Sequence, residues 1–244
     1  MIYLNIKIIG NGVLCSQIVF QSAFFGFNVS IYSTAEASVE KTKGRLQALV
    51  NVYGPYFYDQ PRAQQALESF TYFTDLAQAV ADPDLVIESV PERIDIKQEL
   101  YTKLAAVAPE KTIFATNSST LLPSQFAAST GRPDKFLALH FANSIWQKNT
   151  AEVMYHAETN EQTLHAVTDF ARAINMIPFV LKKEQPGYIL NTLLVPFLSS
   201  AIELGVKDIA DSETIDKNWM LSTGKGFYSY PNPAYKDAGF LKNS

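Results

Sequence analysis

The stretch Ile8-Ile9-Gly10-Asn11-Gly12-Val13-Leu14-Cys15 decides the fold. An aliphatic run from Tyr3 to Ile9 ends on two glycines one residue apart, and a segment of helical period, Val13 to Phe25, begins at once. Gly10 permits a tight turn, and Gly12 lets backbone approach a pyrophosphate. The first helical amides, with Val13 and Leu14 among them, offer hydrogen bonds and a partial positive charge. Standing alone, such a stretch is only a turn between a strand and a helix. Cys15 stands where a third glycine would let helix and sheet pack closely, and a thiol at a helix N-terminus is also a candidate redox group. At the end of the second strand, about 20 positions on, an acidic residue would hold the ribose hydroxyls, but Ser33 and Thr34 stand there instead. Serine can bond a ribose without the charge, and no arginine lies beside it to receive an extra phosphate. The expected cofactor is therefore NAD, with Gly10, Gly12, Val13, Leu14 and Ser33 around it.

Outward from this turn, strand-like runs alternate with helical segments: Val29 to Tyr32, Ala35 to Val52, Leu85 to Ser89, Asp95 to Val107, Thr112 to Thr116 and a short helix after Pro123. Alternation of this kind implies an α/β fold, a Rossmann-type, mostly parallel sheet covered on both faces. Phe136 to Phe141 and Ala151 to Tyr155 are separated by too few residues for a helical crossover, so they read as an antiparallel hairpin. Asn51 to Arg62, with Gly54, Pro55, Pro61 and several aromatics, reads as a surface excursion. The polar Lys182-Lys183-Glu184-Gln185-Pro186-Gly187 segment marks a boundary. It divides a dinucleotide-binding domain, 1-183, from a small all-α domain, 184-244, which closes in an extended Pro/Tyr tail.

Composition narrows the function. With 47% hydrophobic and 18% charged positions in 244 residues, the chain has enough apolar material for a core, and a net charge of −4 offers no general cationic field for nucleic acid. One cysteine and three histidines supply neither a disulfide nor metal-ligand spacing. A reducing, cytoplasmic setting is expected. Ile189 to Ile202 is apolar but interrupted by Asn191, Thr192, Pro196, Ser199 and Ser200 and short of the ~20 residues that cross a bilayer, so no membrane partner is expected.

Ligands of open α/β sheets sit beyond the carboxyl ends of the strands. Polar residues gather there: Glu88 to Lys97 after the fourth strand, Asn117 to Thr120 after the fifth, and His140 near the end of the sixth. In a hairpin turning near Trp146, His140 and Glu152 become cross-strand neighbours, and a carboxylate beside an imidazole fixes its tautomer for taking a proton from a hydroxyl. Asn117 and Ser119 read equally well as turn formers and Glu92 as a helix cap. His156 and His165 read as structural or solvated, and Ser119 lacks a nucleophile elbow.

Val86-Ile87-Glu88-Ser89-Val90-Pro91-Glu92, Ala115-Thr116-Asn117-Ser118-Ser119, Leu137-Ala138-Leu139-His140-Phe141, Ala151-Glu152-Val153 and the run Pro186 to Pro196 together resemble the 3-hydroxyacyl-CoA dehydrogenases, and closely resemble the short-chain 3-hydroxybutyryl-CoA branch. The resemblance spans about residues 3 to 222. It implies that His140 is the general base and Glu152 its partner. Ser119 and Asn191 would bond the reacting oxygen or the thioester, and Glu92, Lys97 and Asn117 would contact NAD. An acyl-CoA thioester would be the substrate, and the chain a homodimer. Lys41, Lys43 and Arg45 could attract coenzyme A phosphates, or form a solvated helix face. Relatives acting on free hydroxyacids commonly use a lysine base, which nothing here supplies. After Met220 the sequence runs from Ser222-Thr223-Gly224 directly into Lys225 to Tyr230, which resembles the family's closing motif, so the helical domain reads as internally shortened. That shortening, with Cys15 and Ser33, leaves open a second reading, a dinucleotide-binding remnant with little turnover.

Overall fold

The first strand, β1 (Asn5–Ile9), sets half-buried Asn5 and Lys7 against buried Ile6 and Ile8 and runs straight into Gly10. This computed structural model describes residues 5–223. The chain divides into two compact units, one reaching Ile189 and the other beginning at Leu190.

In the first unit α1 (Val13–Phe24) has every residue from Cys15 to Phe24 buried, as expected of a helix packed on nearly all sides. After it come β2 (Asn28–Tyr32), α2 (Glu36–Phe57), α3 (Gln60–Glu68), β3 (Thr71–Phe73), α4 (Leu76–Ala79), β4 (Leu85–Glu88), α5 (Ile94–Val107) and β5 (Ile113–Thr116). Three single 3₁₀ turns between Pro123 and Lys135 replace the short helix expected there. Then come β6 (Phe136–Phe141), β7 (Thr150–Met154), α6 (Glu161–Ala173) and β8 (Ile177–Leu181).

The strands form one eight-stranded sheet in the order β3-β2-β1-β4-β5-β6-β7-β8. Only the β6–β7 pair is antiparallel, with His140 opposite Glu152. The order reverses at β1, so the cleft beyond β1, β2 and β4 lies at the topological switch point, where such sheets bind ligands.

The residues from Asn51 to Arg62 differ from the expected surface excursion. α2 continues through Pro55 to Phe57, and Tyr58 takes a left-handed φ of 53° as its cap. Asp59 then caps α3 by accepting a hydrogen bond from the Arg62 amide at 3.0 Å. Tyr53 is fully buried, its ring 4.7 Å from that of Phe20 and 5.7 Å from that of Trp146, and its hydroxyl donates to Gln21 Oε1 at 2.6 Å. The aromatics at 53 and 57 pay for the helix by packing in the core, while Tyr56 and Tyr58 are exposed.

α7 (Tyr188–Val206) is one continuous helix of 19 residues with Pro196 inside it. Its mean hydropathy of 1.6 and its length suffice to cross a membrane by those two measures alone, and none of its most apolar window is buried. In the second unit α8 (Ser212–Thr223) follows, its start capped by Asp211, whose side chain accepts from the Thr214 amide at 2.7 Å. The expected Pro/Tyr tail lies outside the described residues.

Candidate active site

The glycine turn is built as a phosphate cradle. Gly10 has φ +143°, and a Cβ there would lie 2.4 Å from the carbonyl oxygen of Ser89, so only glycine fits. At Gly12 a Cβ would meet nothing within 4 Å, which leaves open space over the start of α1, where no side chain caps the first turn. Uncapped amides beside open space fit an anionic ligand. A cavity of about 370 Å³ adjoins this turn, lined among others by Gly10, Asn11, Ser33, Thr34, Val90 and Leu100. These residues fit a dinucleotide. Cys15 does not serve as a redox group. It is fully buried, and burial pushes its thiol up to about 12, opposite to the lowered value a helix N-terminus could give. Its sulfur sits 3.5 Å from the place of the missing Gly10 Cβ and so fills the helix–strand seam.

Beyond β4 and β5 a polar relay holds the loops. Glu88, fully buried at the end of β4, accepts from Lys97 Nζ at 2.6 Å and from the Val90 amide at 2.7 Å through one oxygen, and from Thr116 Oγ1 at 2.8 Å through the other. Lys97 is also fully buried and lies 3.6 Å from Glu92 Oε2. Its ammonium is thus enclosed by two carboxylates beneath the loop, and it serves the cleft by holding Glu92. Glu92 in turn accepts from Ser118 Oγ at 2.5 Å and from the amides of Ser119 and Thr120 at 2.9 and 2.8 Å. Burial alone would raise the Glu92 carboxyl, but these bonds and the nearby Lys97 charge outweigh it and hold the group at about 2. Glu92 therefore pins the loop after β5 and caps no helix, since Arg93 occupies the α5 N-cap position without a side-chain cap.

The hairpin delivers the expected pair. His140 Nδ1 lies 2.9 Å from Glu152 Oε2, both side chains 6% exposed. A carboxylate at that distance takes the Nδ1 proton in its hydrogen bond, which leaves Nε2 free to accept another. The other carboxylate oxygen of Glu152 accepts from the Ile189 amide at 2.8 Å. Asn117, at the end of β5, accepts from the Phe141 amide at 3.0 Å and so sits against the strand that carries His140. Gln17 accepts from the Ser144 amide at 2.8 Å, which ties α1 to the hairpin turn.

Tyr188 is a site residue that sequence reasoning missed. Its ring lies on the His140 imidazole with centroids 4.7 Å apart at 31°, and it is fully buried with φ +56° after Gly187 at +79°. Burial and the carboxylates Glu92, Glu152 and Glu88 push its phenol above the ordinary range. The Pro186-Gly187 pair signalled a turn, but nothing in the sequence said what the turn covers. Gly10 and Ser33 thus line one cavity, Gly12, Val13 and Leu14 follow at the start of α1, and Glu92, Lys97, Asn117 and Ser119 group by the ends of β4 and β5. Asn191 lies in the first turn of α7, within the second unit. Among the described residues no group of histidine, cysteine and carboxylate side chains could hold a metal ion.

Comparison with known proteins agrees with this geometry. Residues 5–185 match the family described as 3-hydroxyacyl-CoA dehydrogenase, NAD binding domain. The chain belongs to the 3-hydroxyacyl-CoA dehydrogenase family. Its members are oxidoreductases, and NAD is the cofactor. The mitochondrial hydroxyacyl-coenzyme A dehydrogenase of Sus scrofa is 34% identical over 226 residues, covering 90% of this chain and 72% of the relative. The 3-hydroxybutyryl-CoA dehydrogenase of Clostridioides difficile is 28% identical, covering 89% and 77%. A solved diketoreductase, described by its dual catalysis of dicarbonyl compounds, is 53% identical, with a TM-score of 0.88 over 93% of this chain and 82% of that one. In this member of the family, then, the cavity at the switch point is the candidate NAD cleft and the His140–Glu152 pair is the candidate proton-transfer dyad.

Proposed function

We propose that the enzyme interconverts a short-chain 3-hydroxyacyl-CoA and its 3-oxoacyl-CoA. The observation that carries this is the buried His140–Glu152 pair, 2.9 Å apart on neighbouring strands of the sheet that holds the NAD cleft. NAD, when bound, supplies the hydride acceptor for the oxidising direction. His140 Nε2 takes the proton of the C3 hydroxyl as the C3 hydride departs, and Glu152 stabilises the imidazolium that forms. In reverse the imidazolium returns its proton to the 3-oxo oxygen. Asn117 and Glu92 keep the β5 loop in place, and Ser119 is assigned to the reacting oxygen or the thioester end.

A second reading has a specific observation behind it. The 53% identical diketoreductase is described by dicarbonyl compounds, and a 3-oxoacyl thioester is itself a 1,3-dicarbonyl. The two readings share the reacting centre and differ in whether coenzyme A is needed as a handle. NADH oxidation with acetoacetyl-CoA, measured beside a simple acetoacetate ester, separates them. The thioester reading expects kcat/KM for acetoacetyl-CoA to be higher by at least about 100-fold, roughly what a few polar contacts to the remote handle supply. Equal or better turnover of the simple ester contradicts it in favour of the free dicarbonyl.

A further inference from the structure

Ser33 follows β2 directly, its amide donating to the Phe73 carbonyl at 3.0 Å, and it lines the NAD cavity. Its side chain is 3% exposed, and its hydroxyl has no hydrogen-bond partner among the described residues. A buried hydroxyl without a partner, on a residue that lines a cavity of about 370 Å³, is a group that a ligand atom can satisfy. The charge lining the cavity is balanced. Of the residues lining the cavity only Glu99 and Lys103 are charged, and they pair with each other at 2.6 Å. Glu36, in the first turn of α2, reaches Thr74 Oγ1 at 3.5 Å, and Arg45 donates to the Asn11 carbonyl on the glycine turn.

An acidic residue at this position would do two things at once: accept charge-assisted bonds from the ribose hydroxyls, and repel a phosphate attached to the 2′ oxygen. Serine does neither, and the one cation among the residues lining the cavity, Lys103, is paired with Glu99. We propose that Ser33 makes the ribose end of this cleft permissive, so that the enzyme binds NADPH and NADH with similar affinity. Loss of the favourable bond weakens NADH, and loss of the repulsion admits NADPH. The two effects narrow the ratio from both sides.

Calorimetric titration of the full chain with NADH and with NADPH tests this without reference to turnover, so its outcome is independent of the substrate proposed above. The expected dissociation constants lie within about tenfold of each other, one charged-versus-neutral hydrogen bond apart at most. Ser33→Asp is expected to tighten NADH and weaken NADPH, widening the ratio by more than about tenfold on the same reasoning. Should that buried carboxylate prevent folding, seen as loss of the cooperative melt, Thr34→Asp places the charge at the exposed neighbouring position and is read in the same way. A wild-type ratio beyond about tenfold in either direction overturns the proposal, as does a folded aspartate variant whose ratio equals that of the wild type.

Discussion

Tyr188 shows how much one residue can organise. A bulky aromatic side chain at φ +56° costs about 1–3 kcal/mol of backbone strain. That conformation lays its ring on His140 and turns the next amide toward Glu152, so a single turn braces both members of the dyad. Tyr188→Phe, which keeps the ring, is expected to hold kcat within about threefold. Tyr188→Ala should lower kcat by about 10- to 100-fold through a loosened imidazole, with NADH affinity unchanged. A Tyr188→Ala enzyme of full kcat would show that the ring only fills space. At this scale the sequence was partly legible. His140 and Glu152 could be paired because a hairpin turning at Trp146 has only one register that makes them neighbours. Tyr188 and the buried Lys97 could not be placed, because their partners lie on separate strands and spacing along the chain carries no trace of them.

At the scale of elements, the loop after β5 depends on one carboxylate from the segment after β4. Glu92 has an unfolded value near 4.5 and a folded value held at about 2. A depressed carboxyl stabilises the fold fully above the unfolded value, and that contribution is lost as pH falls from about 4.5 through about 2. Glu92→Gln retains one acceptor but not the charge. The expected result is a melting temperature below wild type at neutral pH, with the gap closing as pH falls through that window. A gap that stays constant between pH 7 and pH 2 would contradict the clamp. Elements were legible where local and tertiary signals agreed, as for β6, whose bounds from Phe136 to Phe141 match the sequence reading. They were misread at Asn51 to Arg62, where Gly54 and Pro55 signal a break locally. Burial of Tyr53 and Phe57 against α1 overrides that signal.

On the scale of the whole molecule, strand–helix alternation was enough to give the parallel sheet, and the sheet order explains why the chemistry gathers where it does. β1 lies between β2 and β4 at the reversal, which sets the candidate NAD cleft, and β6 and β7 lie beyond β5, which sets the candidate dyad. The Gly-x-Gly turn and the His140–Glu152 hairpin were both legible in the sequence. What joins them, the relay from Glu88 through Lys97 and Glu92 to the loop after β5, is a property of the folded sheet. The central claim is that His140 moves the substrate's proton. The most direct measurement is the rate of NADH oxidation by acetoacetyl-CoA for the wild type and for His140→Gln, with NADH affinity titrated in both. The account predicts a fall in kcat of at least about 100-fold with unchanged NADH affinity. A His140→Gln enzyme that oxidises NADH at the wild-type rate would contradict it.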